Sequence, residues 1–159
     1  MHDHMRLKIK ARKREHRRAH PAPTLRRVPE HKQLSELEHA RHIRGPHESL
    51  LRFQEGKQTA ADWYLLNFRI RFGLYAAVER FHGETEELMS SAHQLMQTLL
   101  ARYRKLSTHL NTGWTVSTEE LEIFTRAVKA TDWMQIQLER KAIERFTHKV
   151  HKEMIRHVQ

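Results

Sequence analysis

Histidine and glutamate are the residues of this chain whose number and spacing could do chemistry. Fourteen histidines stand among 159 residues. Two of them complete a Glu-x-x-His spacing, Glu36 to His39 and Glu79 to His82. On a helix that spacing puts a carboxylate and an imidazole on one face, as in carboxylate-bridged di-iron bundles. Composition has to be weighed first: only three of the 19 acidic residues are Asp (Asp3, Asp62, Asp132), so Glu is nearly as abundant as His is unusual. At these frequencies chance alone yields roughly 1.4 such pairs. A di-metal bundle also needs single inward Glu residues from two further helices, and the inward stripes described below are apolar. His39 with His42, and His148 with His151, sit one turn apart but lack a Cys or an evident third ligand. Met1-His2-Asp3-His4 is at most a loose copper or nickel ligand set. Solvated histidines, no metal and no cofactor are the expectation.

Nucleophilic and phosphate-handling motifs are missing as well. The sequence has no cysteine, which excludes disulfides, iron–sulfur clusters, thiolate zinc sites and cysteine nucleophiles. It has no Gly-rich phosphate loop, no Gly-x-Ser-x-Gly and no His-Glu-x-x-His. Asp62 follows Thr59 at the spacing of a helix start. Nothing names an enzyme, and a non-enzymatic protein is expected.

The remaining chemistry is charge. Lys and Arg total 29 against 19 acidic residues, a formal charge of +10. Residues 1–32 hold eleven of the cations (Arg6, Lys8, Lys10, Arg12, Lys13, Arg14, Arg17, Arg18, Arg26, Arg27 and Lys32) against Asp3, Glu15 and Glu30. Their net of +8 leaves +2 for the rest of the chain. Such a segment neutralises phosphates without fixed structure, in a salt-dependent and largely sequence-independent way. Arg6, Lys8, Lys10, Arg12, Lys13, Arg14, Arg17, Arg18, Arg26 and Arg27 are therefore the candidate nucleic-acid-binding residues. A basic tail in general can also keep a protein soluble, or contact ribosomes, acidic proteins or anionic membrane. No helix-turn-helix emerges, because Arg52, Arg69 and Glu79 occupy the positions four before Gly56, Gly73 and Gly83, where a small residue is needed.

These residues need elements to position them. Residues 1–32 contain Pro21, Pro23 and Pro29 and almost no large apolar side chains, so the expectation is a disordered tail, with room for a short helix over Arg6–Arg18. Residues 33–159 read as an all-α bundle of three to four main helices. The first segment, Gln33–Glu55, is interrupted by Gly45-Pro46 and is either two short helices or one kinked one; Leu50, Leu51 and Phe53 are its core candidates. The second opens on Thr59 and runs apolar on most faces through Phe81, which marks the central helix; Gly73 within it predicts close approach by a neighbour. The third, about Glu84–Asn111, carries the stripe Met89, Ala92, Met96, Leu99, Tyr103, Leu106 and Leu110, either bundle core or an intermolecular coiled-coil seam. Ser117-Thr118-Glu119-Glu120 has the capping-box spacing. It opens one long helix toward Met154, with Leu121, Phe124, Val128, Met134, Leu138, Ala142, Phe146 and Val150 inward. That helix becomes basic beyond about Arg140, with Arg140, Lys141, Arg145, Lys149, Lys152 and Arg156 partly matched by Glu139, Glu144 and Glu153. No apolar run of 18 residues is present and the charged N-terminus lacks an apolar stretch behind it, so a cytoplasmic protein without a membrane partner is expected.

The run Arg44–Asp62, with His47, Leu50, Leu51, Gly56, Thr59 and Asp62 at the junction of the first two helices, and Ser117-Thr118-Glu119-Glu120-Leu121 opening the last, resembles small helical proteins encoded by phages, prophages and plasmids of Gram-negative bacteria. The resemblance implies a mobile-element accessory protein and carries no activity over to any residue. Two functions follow as expectations: a nucleic-acid-associated accessory or regulatory protein whose tail binds phosphates, or a helical interaction module acting as adaptor or inhibitor of a host protein. Homo-oligomerisation through the helices is open in either case.

Overall fold

The structure, a computed structural model, describes residues 33–106 and 115–156. Five α-helices and no strand are found among these residues: α1 (Glu36–Gln54), α2 (Ala60–Ala76), α3 (Gly83–Leu106), α4 (Thr118–Ile136) and α5 (Arg140–Arg156), with a π-helical turn at Ala77–Phe81 closing α2. The all-α expectation holds, and its count of three to four helices is corrected to five. The tail and its ten candidate cations lie outside the described residues, as do Gly113 and Leu110.

The long last helix is in fact two. The N–H groups of Gln137 and Leu138 reach back three residues to Met134 and Gln135, which ends α4, and Glu139 then accepts from Ala142 and Ile143, which starts α5. The apolar spacing of Met134, Leu138, Ala142 and Phe146 runs through the break unaltered, and neither Gly nor Pro marks it. At the other end α1 is one helix with Pro46 inside it. Proline removes one backbone hydrogen bond, a cost of about 3 kcal/mol in an exposed helix. Here Pro46 is buried, and the offset comes from packing.

Capping follows the sequence closely. Thr59 with Asp62 and Ser117 with Glu120 form reciprocal capping boxes, and Ser35 with Glu38 forms a third. Apolar side chains from all five helices build one core around α2, which packs against each of the others. Met89, Ala92, Met96, Leu99 and Tyr103 are buried within it, so the α3 stripe is bundle core. Trp63 sits edge-on to Phe53, with ring centroids 4.8 Å apart, and Phe72 edge-on to Phe146. Leu50 and Phe53 are buried as expected, whereas Leu51 is 58% exposed. Gly73 lies where a Cβ would collide with Thr131 of α4 and Met89 of α3, which is the close approach its presence predicts. Tyr103 ties the end of α3 to the segment entering α4: its hydroxyl donates to the Thr115 carbonyl and accepts from the Thr115 N–H. No helix among the described residues is long and apolar enough to cross a membrane.

Candidate nucleic-acid interface

The chemistry-bearing side chains fall into two buried networks and one exposed surface. In the first network Asp62, 1% exposed, accepts from the Ser49 hydroxyl at 2.8 Å, from Arg52 Nε and NH2 at 2.8 and 2.6 Å, and from the Thr59 N–H at 2.8 Å. Burial works to raise the carboxyl, but the bonds from Arg52, Thr59 and Ser49 outweigh it and hold it at about 2, against an ordinary 3.8. The helix-start role of Asp62 is met, and the same carboxylate pins α1 to α2.

The second network was not read from the sequence. Arg69 on α2 is 4% exposed. Its guanidinium donates to Asp132 Oδ1 at 2.8 Å and to the Gln135 side-chain oxygen. Asp132 Oδ2 meets His47 Nε2 at 2.5 Å, and Gln135 Nε2 meets His39 Nδ1 at 3.1 Å. A carboxylate that orients an imidazole is half of a hydrolytic relay. The other half is not at hand: Ser49, the hydroxyl two residues beyond His47, is turned to Asp62. The inward face of α4 thus carries polar Thr131 and Gln135 as well as its apolar stripe, and Asp132 beside them joins α1, α2 and α4.

The two Glu-x-x-His pairs do not form a site. Glu79 accepts from Arg145 at 2.5 Å, and His82 lies 3.6 Å from Glu86. Glu36 is exposed, and His39 is engaged with Gln135. Among the described residues no three His, Asp or Glu side chains gather where a metal ion could be held.

The exposed surface is the outer side of α5. Lys141, Arg145, His148, Lys152 and Arg156 recur every three or four residues and all are exposed, so they form one row, which spans about 16 Å from Lys141 to Lys152 at 1.5 Å per residue. Lys149 flanks the row, with its Nζ 5.3 Å from the Tyr75 ring centroid. Of the two acids of α5, Glu153 accepts from Arg71 of α2 at 2.9 Å, while Glu144 stays exposed beside the row, one turn from Lys141 and from His148. Arg140 leaves the row to make a two-pronged pair with Glu38 of α1, 2.7 Å on each side. That contact, with the Ser35 cap, holds the Glu38 carboxyl at about 2, against an ordinary 4.5. Lys141, Lys152 and Arg156 have no ion-pair partner among the described residues. Fixed cations in a row on a rigid helix can hold successive phosphates.

No protein-family model, curated protein or solved structure matches the chain.

The α5 row was visible in the sequence as a run of cations near a helix end, where the macrodipole accounts for several of them. What the sequence could not supply was the sorting. Arg140 and Arg145 belong in part to ion pairs with α1 and the π turn, while Lys141 and Lys152 face outward.

Proposed function

We propose that this is a non-enzymatic nucleic-acid-associated accessory or regulatory protein, of the kind mobile elements carry, in which residues 1–32 supply most of the phosphate contacts and the α5 row adds a fixed set. The observation that carries this reading is the uneven charge: eleven cations against three acids in the first 32 residues, and an outward row on α5 whose Lys141 and Lys152 make no ion pair among the described residues. The helical core engages Arg52, Arg69 and Arg71 in internal ion pairs and holds the α5 row on a rigid helix. Sequence-independent phosphate binding follows from such a distribution.

The test is a duplex titration across salt concentrations with the full chain. Four to eight phosphate contacts give a log–log slope of roughly −4 to −7. Changing Arg12, Lys13, Arg14, Arg17 and Arg18 to Gln should flatten the slope by about 4, and changing Lys141 and Lys152 to Gln by about 2. A full chain that binds no duplex, or binds it without salt dependence, overturns the proposal. Recovery of the same partner protein from cells with and without nuclease, alongside that failure, would favour a helical interaction module instead.

A further inference from the structure

A second surface extends the phosphate-binding reading and rests on it. Arg126, Lys129, Trp133 and Ile136 recur every three or four residues along the outer side of α4, and all are exposed. Trp133 is 49% exposed and Ile136 53%. Half-open tryptophan is costly to leave in water, and here it is held in place: the Phe81 ring packs against it with centroids 5.3 Å apart and a tilt of 57°. Phe81 in turn is fixed by the π turn, which ends in the left-handed residue His82, φ 59°. Val78, one turn before Phe81, is 47% exposed. The result is a braced aromatic step with an open side.

Its surroundings are cationic. Arg126 and Lys129 stand two turns and one turn before Trp133 with no ion pair among the described residues. Across from them Arg80 and Arg145 share a single carboxylate, Glu79, at 3.9 and 2.5 Å. That shared contact also makes the step continuous with the α5 row, since Arg145 belongs to the row and Glu79 lies two residues before Phe81. Glu119 and Glu122 bound the stripe at the far end of α4. An aromatic face flanked by Arg126 and Lys129, with Arg80 and Arg145 sharing one carboxylate nearby, fits a polyanion that offers flat apolar groups. A duplex keeps its bases stacked inside, whereas a single strand can lay an unstacked base on the indole and its phosphates on the flanking cations.

We propose that Trp133, braced by Phe81, is a base-stacking platform for single-stranded nucleic acid, with Arg126 and Lys129 as its phosphate contacts. The full chain then prefers a single strand to a duplex of the same length, a preference that the tail alone does not supply.

The test compares a fluorescein-labelled 20-nucleotide oligo(dT) with a 20-base-pair duplex, using full-length protein, Trp133→Ala, Trp133→Phe and an Arg126→Gln/Lys129→Gln double variant. Circular dichroism and thermal melting accompany each, and Trp133→Phe retains a stacking ring should the alanine variant fold poorly. Trp133→Ala should weaken oligo(dT) binding about five- to hundredfold and change duplex binding less than twofold. Trp133→Phe should keep most of the affinity. The double variant should flatten the single-strand salt slope by about 1.4. If the full chain binds both nucleic acids and Trp133→Ala binds oligo(dT) as well as wild type, the platform is overturned and the tail reading stands. A wild-type chain that binds neither overturns both. Loss of a dimer in Trp133→Ala, with single-strand and duplex affinity falling together, overturns the platform in favour of an interface between copies.

Discussion

Gly73 and Asp62 show how far single residues were legible. Glycine inside a helix costs about 1 kcal/mol against alanine, so its presence at position 73 points to a contact, and the contact is there. Gly73→Ala pits that gain against overpacking, which costs about 1–3 kcal/mol. Thr131 cannot easily yield, because its hydroxyl donates to the Ala127 carbonyl at 2.8 Å and leans on Met89 sulfur at 3.7 Å. The clash wins, and urea denaturation should show a net loss of up to about 2 kcal/mol; equal or greater stability would mean that Met89 and Thr131 give way freely. Asp62 was recognisable as a helix-start residue from Thr59, three positions earlier. Its bonds to Ser49 and Arg52 were not, since they come from another helix and leave no local spacing. Asp62→Asn removes a buried charge from several donors and should cost about 2–3 kcal/mol. Arg44→Gln, which breaks a pair whose arginine side chain is 80% exposed, should leave the denaturation midpoint essentially unmoved. Similar losses for the two would remove the distinction between buried network and surface pair. The burial of Arg69 is illegible in the sequence for a related reason: only the arrival of Asp132 and Gln135 from α4 makes it tolerable.

At the level of elements, starts were easier to see than stops. A helix start is a local event, one side-chain oxygen meeting a backbone N–H three residues on, and Ser117-x-x-Glu120 announces it. Ser117→Ala should therefore lower stability by about 1 kcal/mol in the same denaturation assay, and an unchanged midpoint would show that α4 is held by packing alone. The end of α4 is a tertiary event. Its last turn tightens at Gln137 so that Leu138 can stay buried at 4% exposure while Arg140 turns to Glu38. No residue type records that choice, which is why α4 and α5 read as one helix. Pro46 left two short helices or one kinked helix open, and the single helix is the one formed, because Pro46 and the adjoining Ser49, Leu50 and Phe53 are buried against the bundle.

For the whole molecule, helix packing couples stability to pH in two windows. His39, His42 and His93 are each partly desolvated, which lowers all three below the ordinary 6.5, with Glu38 opposing at His39 and His42, Arg69 helping at both and Arg71 helping at His93. The unfolded chain therefore takes up protons first as pH falls past about 6.5, so stability is highest above that value and declines below it. Asp62 and Glu38 act lower down. Their folded carboxyls titrate near 2 against 3.8 and 4.5 unfolded, so their contribution is intact above about 4.5 and is lost as pH falls toward 2. The melting temperature should thus drop in two steps, one between about pH 7 and 5 and a second below about pH 4. The steps are separable by mutation, because the groups lie on different helices: His93 on α3 and Asp62 at the start of α2. His93→Gln should shrink the upper step and leave the lower one, and Asp62→Asn should do the reverse. A melting temperature flat from pH 8 to 5 in the wild type would show that burial does not lower these histidines in the folded chain.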